Sequence, residues 1–179
     1  MVTGTTAQTN NGGTNKVEKY CYGNTEAGCT ATDTNGIPYG ALYQWGEAMG
    51  YAPAPTKPDE FVQGICPAGS HIPSDDEWKT LEMNLNPGMT QVQADATGYR
   101  GTDQGTQLKS GGTSGLNIPL AGYRNTDGSF YGRASDGGPW SSSESGAVAW
   151  GRYLSSSYAT VTRSADDKAY GVSVRCLGN

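Results

Sequence analysis

Apolar side chains recur every second residue near the C-terminal end of the chain. Val172, Val174 and Cys176 alternate with Ser173 and Arg175, and a period of two predicts a strand with one buried face. Upstream, Trp150 and Leu154 anchor a second predicted strand and Val161 a third, all within WSSSESGAVAWGRYLSSSYATVTRSADDKAYGVSVRC, residues 140–176. The positions between these anchors are small, polar or aromatic and show no core pattern. Fixed anchors interleaved with changeable positions predict a recognition surface on a rigid frame. Exposed positions away from special features accept substitution for about 0.5 kcal/mol or less.

Helical spacing appears in two places. In YGALYQWGEAM, residues 39–49, Leu42, Trp45 and Met49 lie three and four apart, and Gly50 ends the pattern. In CPAGSHIPSDDEWKTLEMNL, residues 66–85, Ser74 and Glu77 have capping-box spacing, and Asp75 and Asp76 fall in the first turn, where the helix dipole favours acids. Trp78, Leu81 and Leu85 form the buried stripe, and Pro87-Gly88 stops the helix. Short strands are predicted at VEKYCY (17–22), with Val17, Lys19 and Cys21 on one face, and at LNIPLAGYR (116–124), with Leu116, Ile118 and Leu120 inward. A turn at Asn125–Gly128 leads to a returning strand, SFYGR. Residues 91–115 read as a long loop anchored by Leu108, and residues 1–16 as a polar linker unable to bury enough to order. The pattern predicts one α+β domain over 17–179: two helices on small, mostly antiparallel sheets, with long irregular loops.

Composition sharpens the recognition reading. The chain has 27 Gly and 11 Tyr against 2 Phe, and a mixture rich in Tyr, Ser, Gly and Asn is that of antibody paratopes. A net charge of −5 without a basic run argues against nucleic acid. No apolar run is long enough to insert in a membrane. The expected setting is extracellular or at a cell surface, with any signal or anchor outside this stretch. Four cysteines allow three pairings; Cys21 and Cys29 bracket a short loop and are natural partners, which leaves Cys66 with Cys176. Disulfides require an oxidising compartment. No zinc spacing occurs, and neither metal nor cofactor is expected. Asp75, Asp76 and Glu77 offer clustered oxygens of the kind calcium prefers, but helix capping accounts for them, and Asp166-Asp167 reads as a solvated turn. His71, the single histidine, precedes a helix cap, so it is expected to be structural and the chain not to be an enzyme.

At CPAGSHIPSDDEW, AGYRNTDGSFYGR, WSSSES, AWGRYL and KAYGVSVRCL, spread over Val17 to Cys176, the chain resembles the Fibrobacter succinogenes major paralogous domain family. Ser70 departs from its CPxGWH pattern, which has Trp there. The resemblance implies a C-type-lectin-like fold on a secreted or surface protein. Such domains also serve as variable proteins of diversity-generating retroelements, in which adenine-directed mutagenesis rewrites a C-terminal cassette. Residues of the set reachable from AAY codons stand at Ser135, Asp136, Ala147, Val148, Gly151, Ser155, Ser157, Tyr158, Thr162, Ser164, Ala165, Asp166 and Asp167. Tyr153 and Tyr158 are the aromatic hot-spot candidates, with Tyr131 on a neighbouring strand. The implied partner is an unidentified protein or glycan. The Glu-Pro-Asn and Gln-Pro-Asp signatures of calcium-dependent sugar binding are absent from the sequence. Two alternatives are a generic adhesion or carbohydrate-binding module without targeted diversification, and a redox enzyme like the formylglycine-generating enzymes of related fold, which would need free cysteines.

Overall fold

The helix with the strongest local signal is also the longest, α3, Asp75–Leu85. The computed structural model describes residues 2–3, 17–57 and 60–179. Ser74 Oγ accepts from the Glu77 backbone N–H (3.2 Å) and Glu77 Oε2 accepts from the Ser74 N–H (2.8 Å), a reciprocal cap whose serine is worth about 1 kcal/mol. Trp78 is buried, and Leu81 and Leu85 pack beside it in one core cluster with Leu108, Ile118, Leu154 and Val161. A second cluster holds Trp45, Met49, Ile72 and Trp140, and a third Tyr20, Leu42 and Ala121.

The fold is α+β, as predicted, with more and shorter helices than the two expected: α1 (Glu26–Thr30), α2 (Trp45–Ala48), α4 (Gln91–Asp95) and α5 (Gln104–Leu108) accompany α3. The main sheet is antiparallel, in the order β4 (Gly98–Arg100), β10 (Val161–Asp167), β9 (Val148–Ser155), β7 (Asp136–Gly137), with β8 (Trp140–Ser145) also on β9. Separate pairs join β5 (Ala121–Arg124) to β6 (Phe130–Arg133) and β3 (Ser70–His71) to β11 (Leu177–Gly178). Of the linker expected over 1–16, only Val2–Thr3 (β1) is described; it runs parallel to β2, Glu18–Lys19. The rest of that segment lies outside the described residues.

Three expectations are corrected. Residues 39–49 are helical only from Trp45, because the Leu42 N–H and C=O pair with Tyr20 and the Tyr43 N–H with the Val172 carbonyl. Leu42, Trp45 and Met49 are all buried nonetheless, so their spacing reported burial rather than conformation. The stretch 91–115 is not a loop. Thr90 and Gln93 form a capping box for α4, and β4 and α5 follow. Val172–Val174 is no regular strand: Val172 bridges Tyr43 and Ser173 bridges Pro139, and the expected face is not the buried one, since Ser173 is buried, Val172 and Val174 are only partly buried and Cys176 is exposed. Both disulfides form as proposed, Cys21–Cys29 and Cys66–Cys176, with no free cysteine.

Two glycines, Gly138 between β7 and β8 and Gly151 on β9, set different limits. A Cβ on Gly138 would lie 1.8 Å from the Arg152 carbonyl oxygen, whereas one on Gly151 would find its nearest neighbours at 3.5 Å. Gly138→Ala is therefore expected to cost about 3 kcal/mol of stability through forced backbone shifts, and Gly151→Ala about 0.5 kcal/mol or less. Urea denaturation of the two variants checks the difference.

Candidate functional site

Strand β10 has two faces made from alternate residues. On one, Thr162 pairs with Tyr153 and Tyr99, Ser164 with Gly151, and Asp166 with Ala149. On the other, Arg163 pairs with Arg152, and Ala165 with Trp150.

The second face is fastened to α3 by buried charge. Asp75 accepts from Arg163 Nη2 and Arg152 Nη1, both at 2.7 Å. Glu82 binds Arg152 Nε at 2.5 Å and Arg100 Nη2 at 2.6 Å. Lys79 reaches Asp95 at 2.8 Å. All these side chains except Asp95 are buried. Burial pushes the Asp75 carboxyl up, but hydrogen bonds from Arg163 and the charges of Arg152 and Arg163 outweigh it and hold the pKa at about 2. The Arg163 guanidinium also lies 3.5 Å from the Trp150 ring centroid. Trp150 is thus half-buried beneath a cation, not the apolar core anchor expected.

The first face opens into a cavity of about 400 Å³. Tyr99, Tyr123, Tyr153 and Tyr170 wall it, with Trp140, Gly151, Thr162, Ser164 and Asp166 among its other lining residues. The aromatic surface extends outward: Tyr158 packs on Tyr99 (centroids 4.7 Å) and Tyr131 on Tyr123 (5.7 Å). Tyr99 and Tyr158 are more than half exposed, at 59% and 51%. Burial, and after it the nearby Asp136 carboxylate, push the Tyr153 hydroxyl pKa up. Asp136 also accepts from Ser135 Oγ (2.9 Å), and Asp166 Oδ2 accepts from Ser164 Oγ (2.6 Å). Thr162 Oγ1 is buried without a hydrogen-bond partner among the described residues.

The candidate positions divide accordingly. Gly151, Tyr153, Thr162, Ser164 and Asp166 line the cavity, Ser135 and Asp136 lie beside Tyr153, and Ser157 and Tyr158 are exposed in the β9–β10 loop. Ser155 is buried: its Oγ accepts from the Ser157 N–H and its carbonyl from Lys109. Val148 and Asp167 pair with each other on the face shared by Arg163 and Ala165, and Ala147 sits in the turn before β9. The sequence reading missed Tyr99, Tyr123 and Tyr170. A signal for the first two existed in the triplet Gly-Tyr-Arg, which occurs at 98–100 and 122–124. In both copies the glycine has positive φ, the tyrosine walls the cavity and the arginine is buried.

The remaining chemical candidates are occupied elsewhere. His71 Nδ1 faces Asn179 Oδ1 (2.6 Å), its Nε2 faces Glu77 Oε1 (3.0 Å), and its ring stacks on Phe61. Asp76 pairs with Lys79 at 2.6 Å. No helix among the described residues is long and apolar enough to cross a membrane. A family model described as the Fibrobacter succinogenes major domain matches residues 2–177. No curated protein and no solved structure matches the chain.

Proposed function

The chain belongs to the Fibrobacter succinogenes major domain family, and on that premise we propose that it is a non-catalytic ligand-binding protein with a sequence-variable recognition face. The observation that carries the proposal is the division of β10. Thr162, Ser164 and Asp166 line a tyrosine-walled cavity, while Arg163 holds the strand to α3 from behind. Substitution on the cavity side leaves the fastening intact, as a variable protein of a diversity-generating retroelement requires. Rigid tyrosines supply contact area at low entropic cost, and truncating such aromatics is what weakens interfaces most. Both cysteine pairs are closed, so no thiol is available for redox chemistry, and the disulfides fit an oxidising, extracellular setting.

A library randomised at Ser157, Tyr158, Thr162, Ser164 and Asp166 and displayed for selection tests the reading. Specific binders to unrelated proteins or glycans are expected, each melting within a few degrees of the parent. Binders that arise only in unfolded or aggregating members, or none at all, would remove the proposal. The alternative of an adhesion module without targeted diversification is separated by the flanking DNA. A reverse transcriptase gene and a near-identical template repeat are expected beside the coding sequence, and the alternative predicts neither.

A further inference from the structure

Resting on the recognition-face reading, we infer that the tyrosine-walled cavity takes a basic side chain, arginine or lysine, of a protein partner. The face of a tyrosine ring carries partial negative charge and attracts a cation within about 6 Å of its centroid. Tyr99, Tyr123, Tyr153 and Tyr170 bring four such rings to one cavity. The Asp136 carboxylate, which accepts from Ser135 Oγ, lies close enough to Tyr153 to act on its hydroxyl, adding negative charge at the rim. Asp166 lines the cavity beside them and accepts from Ser164 Oγ. Among the described residues no lysine or arginine forms an ion pair with Asp166 or Asp136, whereas Asp75, Asp76, Asp95, Glu26, Glu82 and Glu144 each have one.

Among the described residues the cavity brings no competing cation. Arg152 contributes to the lining, but its guanidinium is turned to Asp75 and Glu82 on the far face. The chain already seats its own cations on aromatic rings: Arg124 lies 4.3 Å from the Tyr20 centroid and Arg133 lies 4.6 Å from that of Tyr22. A volume of about 400 Å³ suits a single anchoring side chain with its backbone, not a folded element. A carboxylate in the same place would face Asp166 with no counter-charge. The net charge of −5 steers basic partners toward the protein.

The test is an amide-shift titration of the ¹⁵N-labelled protein with four probes. Three are the blocked peptides acetyl-Gly-Arg-Gly-amide, acetyl-Gly-Gln-Gly-amide and acetyl-Gly-Glu-Gly-amide; the fourth is methyl glucoside. The arginine peptide is expected to shift the amides of Gly151, Tyr153, Thr162, Ser164 and Asp166 and to saturate in the millimolar range, about tenfold more tightly than the other probes. Asp166→Asn is expected to weaken it about fivefold while amide dispersion stays that of the parent. Equal affinity for the glutamine peptide, the glutamate peptide or the sugar overturns the cation selectivity and leaves the recognition face standing. Silence of those amides with all four probes, or undiminished arginine affinity in Asp166→Asn, also overturns it, and the library selection then decides the face by itself. If Asp166→Asn does not fold, the comparison of the four probes on the parent protein decides.

Discussion

Asp75→Ala is expected to lower the free energy of unfolding by about 3–5 kcal/mol, because it leaves the buried Arg163 guanidinium without its carboxylate and Arg152 with Glu82 alone. Arg152 and Arg163 both donate to this carboxylate, and each is almost entirely hidden from water. What is lost is less the worth of the ion pair than the cost of an uncompensated Arg163 behind the sheet, beside an Arg152 that keeps only Glu82. The same carboxyl sets an acid limit. Its pKa is held at about 2 against an ordinary 3.8. A depressed carboxyl contributes stability that is complete above the unfolded pKa and disappears as pH falls through the folded one. Roughly 2 kcal/mol should therefore fade between about pH 4 and pH 2. Urea denaturation at pH 7, 4 and 2.5 is expected to show that decline in the parent and a much flatter profile over the same interval in Asp75→Ala. A small loss at pH 7 would mean that water or other groups compensate Arg152 and Arg163.

The second large effect concerns the long disulfide. Cys66 and Cys176 are 110 residues apart and Cys21 and Cys29 only 8. On chain entropy, removing the long bridge costs about 4–5 kcal/mol and the short one about 2–3 kcal/mol. The long bridge also ties down the segment after Val172, whose backbone pairs with Tyr43 and which lines the cavity together with Tyr170. Replacing Cys66 and Cys176 by alanine is thus expected to loosen one cavity wall as well as to destabilise. The matching pair at Cys21 and Cys29 should leave ligand binding unchanged under conditions where both variants remain folded. Chemical denaturation together with amide exchange at Tyr170 and Val172 separates the two effects.

The elements legible in the sequence were those whose signals are local. Helix α3 carries its cap, its acids and its apolar stripe within twelve residues, 74–85, and the Asn125–Gly128 turn needs only its own glycine at φ 89°. Helices α4 and α5 were missed because neither shows an apolar stripe. Gln91–Asp95 buries only Ala94, and Gln104–Leu108 buries Gln104, Gly105 and Leu108. The charged fastening behind the sheet was invisible for a different reason. The bonds of Arg152 and Arg163 to Asp75 and Glu82 join residues 70 to 88 positions apart, and nothing local marks Arg163 as inward-facing. That placement also erased the hydrophobic alternation of β10, since its inward positions after Val161 are Arg163 and Ala165. The candidate list consequently mixed both faces. Ser155, Ala165 and Val148 joined it on residue type alone, and only the register with β9 separates them from Thr162, Ser164 and Asp166.

That register offers the most direct check on the whole account. Every substitution at residues 161–167 is made in turn, and resistance of the folded chain to protease is measured for each. The account predicts a period of two: wide tolerance at Thr162, Ser164 and Asp166, and intolerance at Val161 and Arg163, with Ala165 accepting only small residues. A flat profile, or one in which Thr162, Ser164 and Asp166 are the sensitive positions, would contradict it.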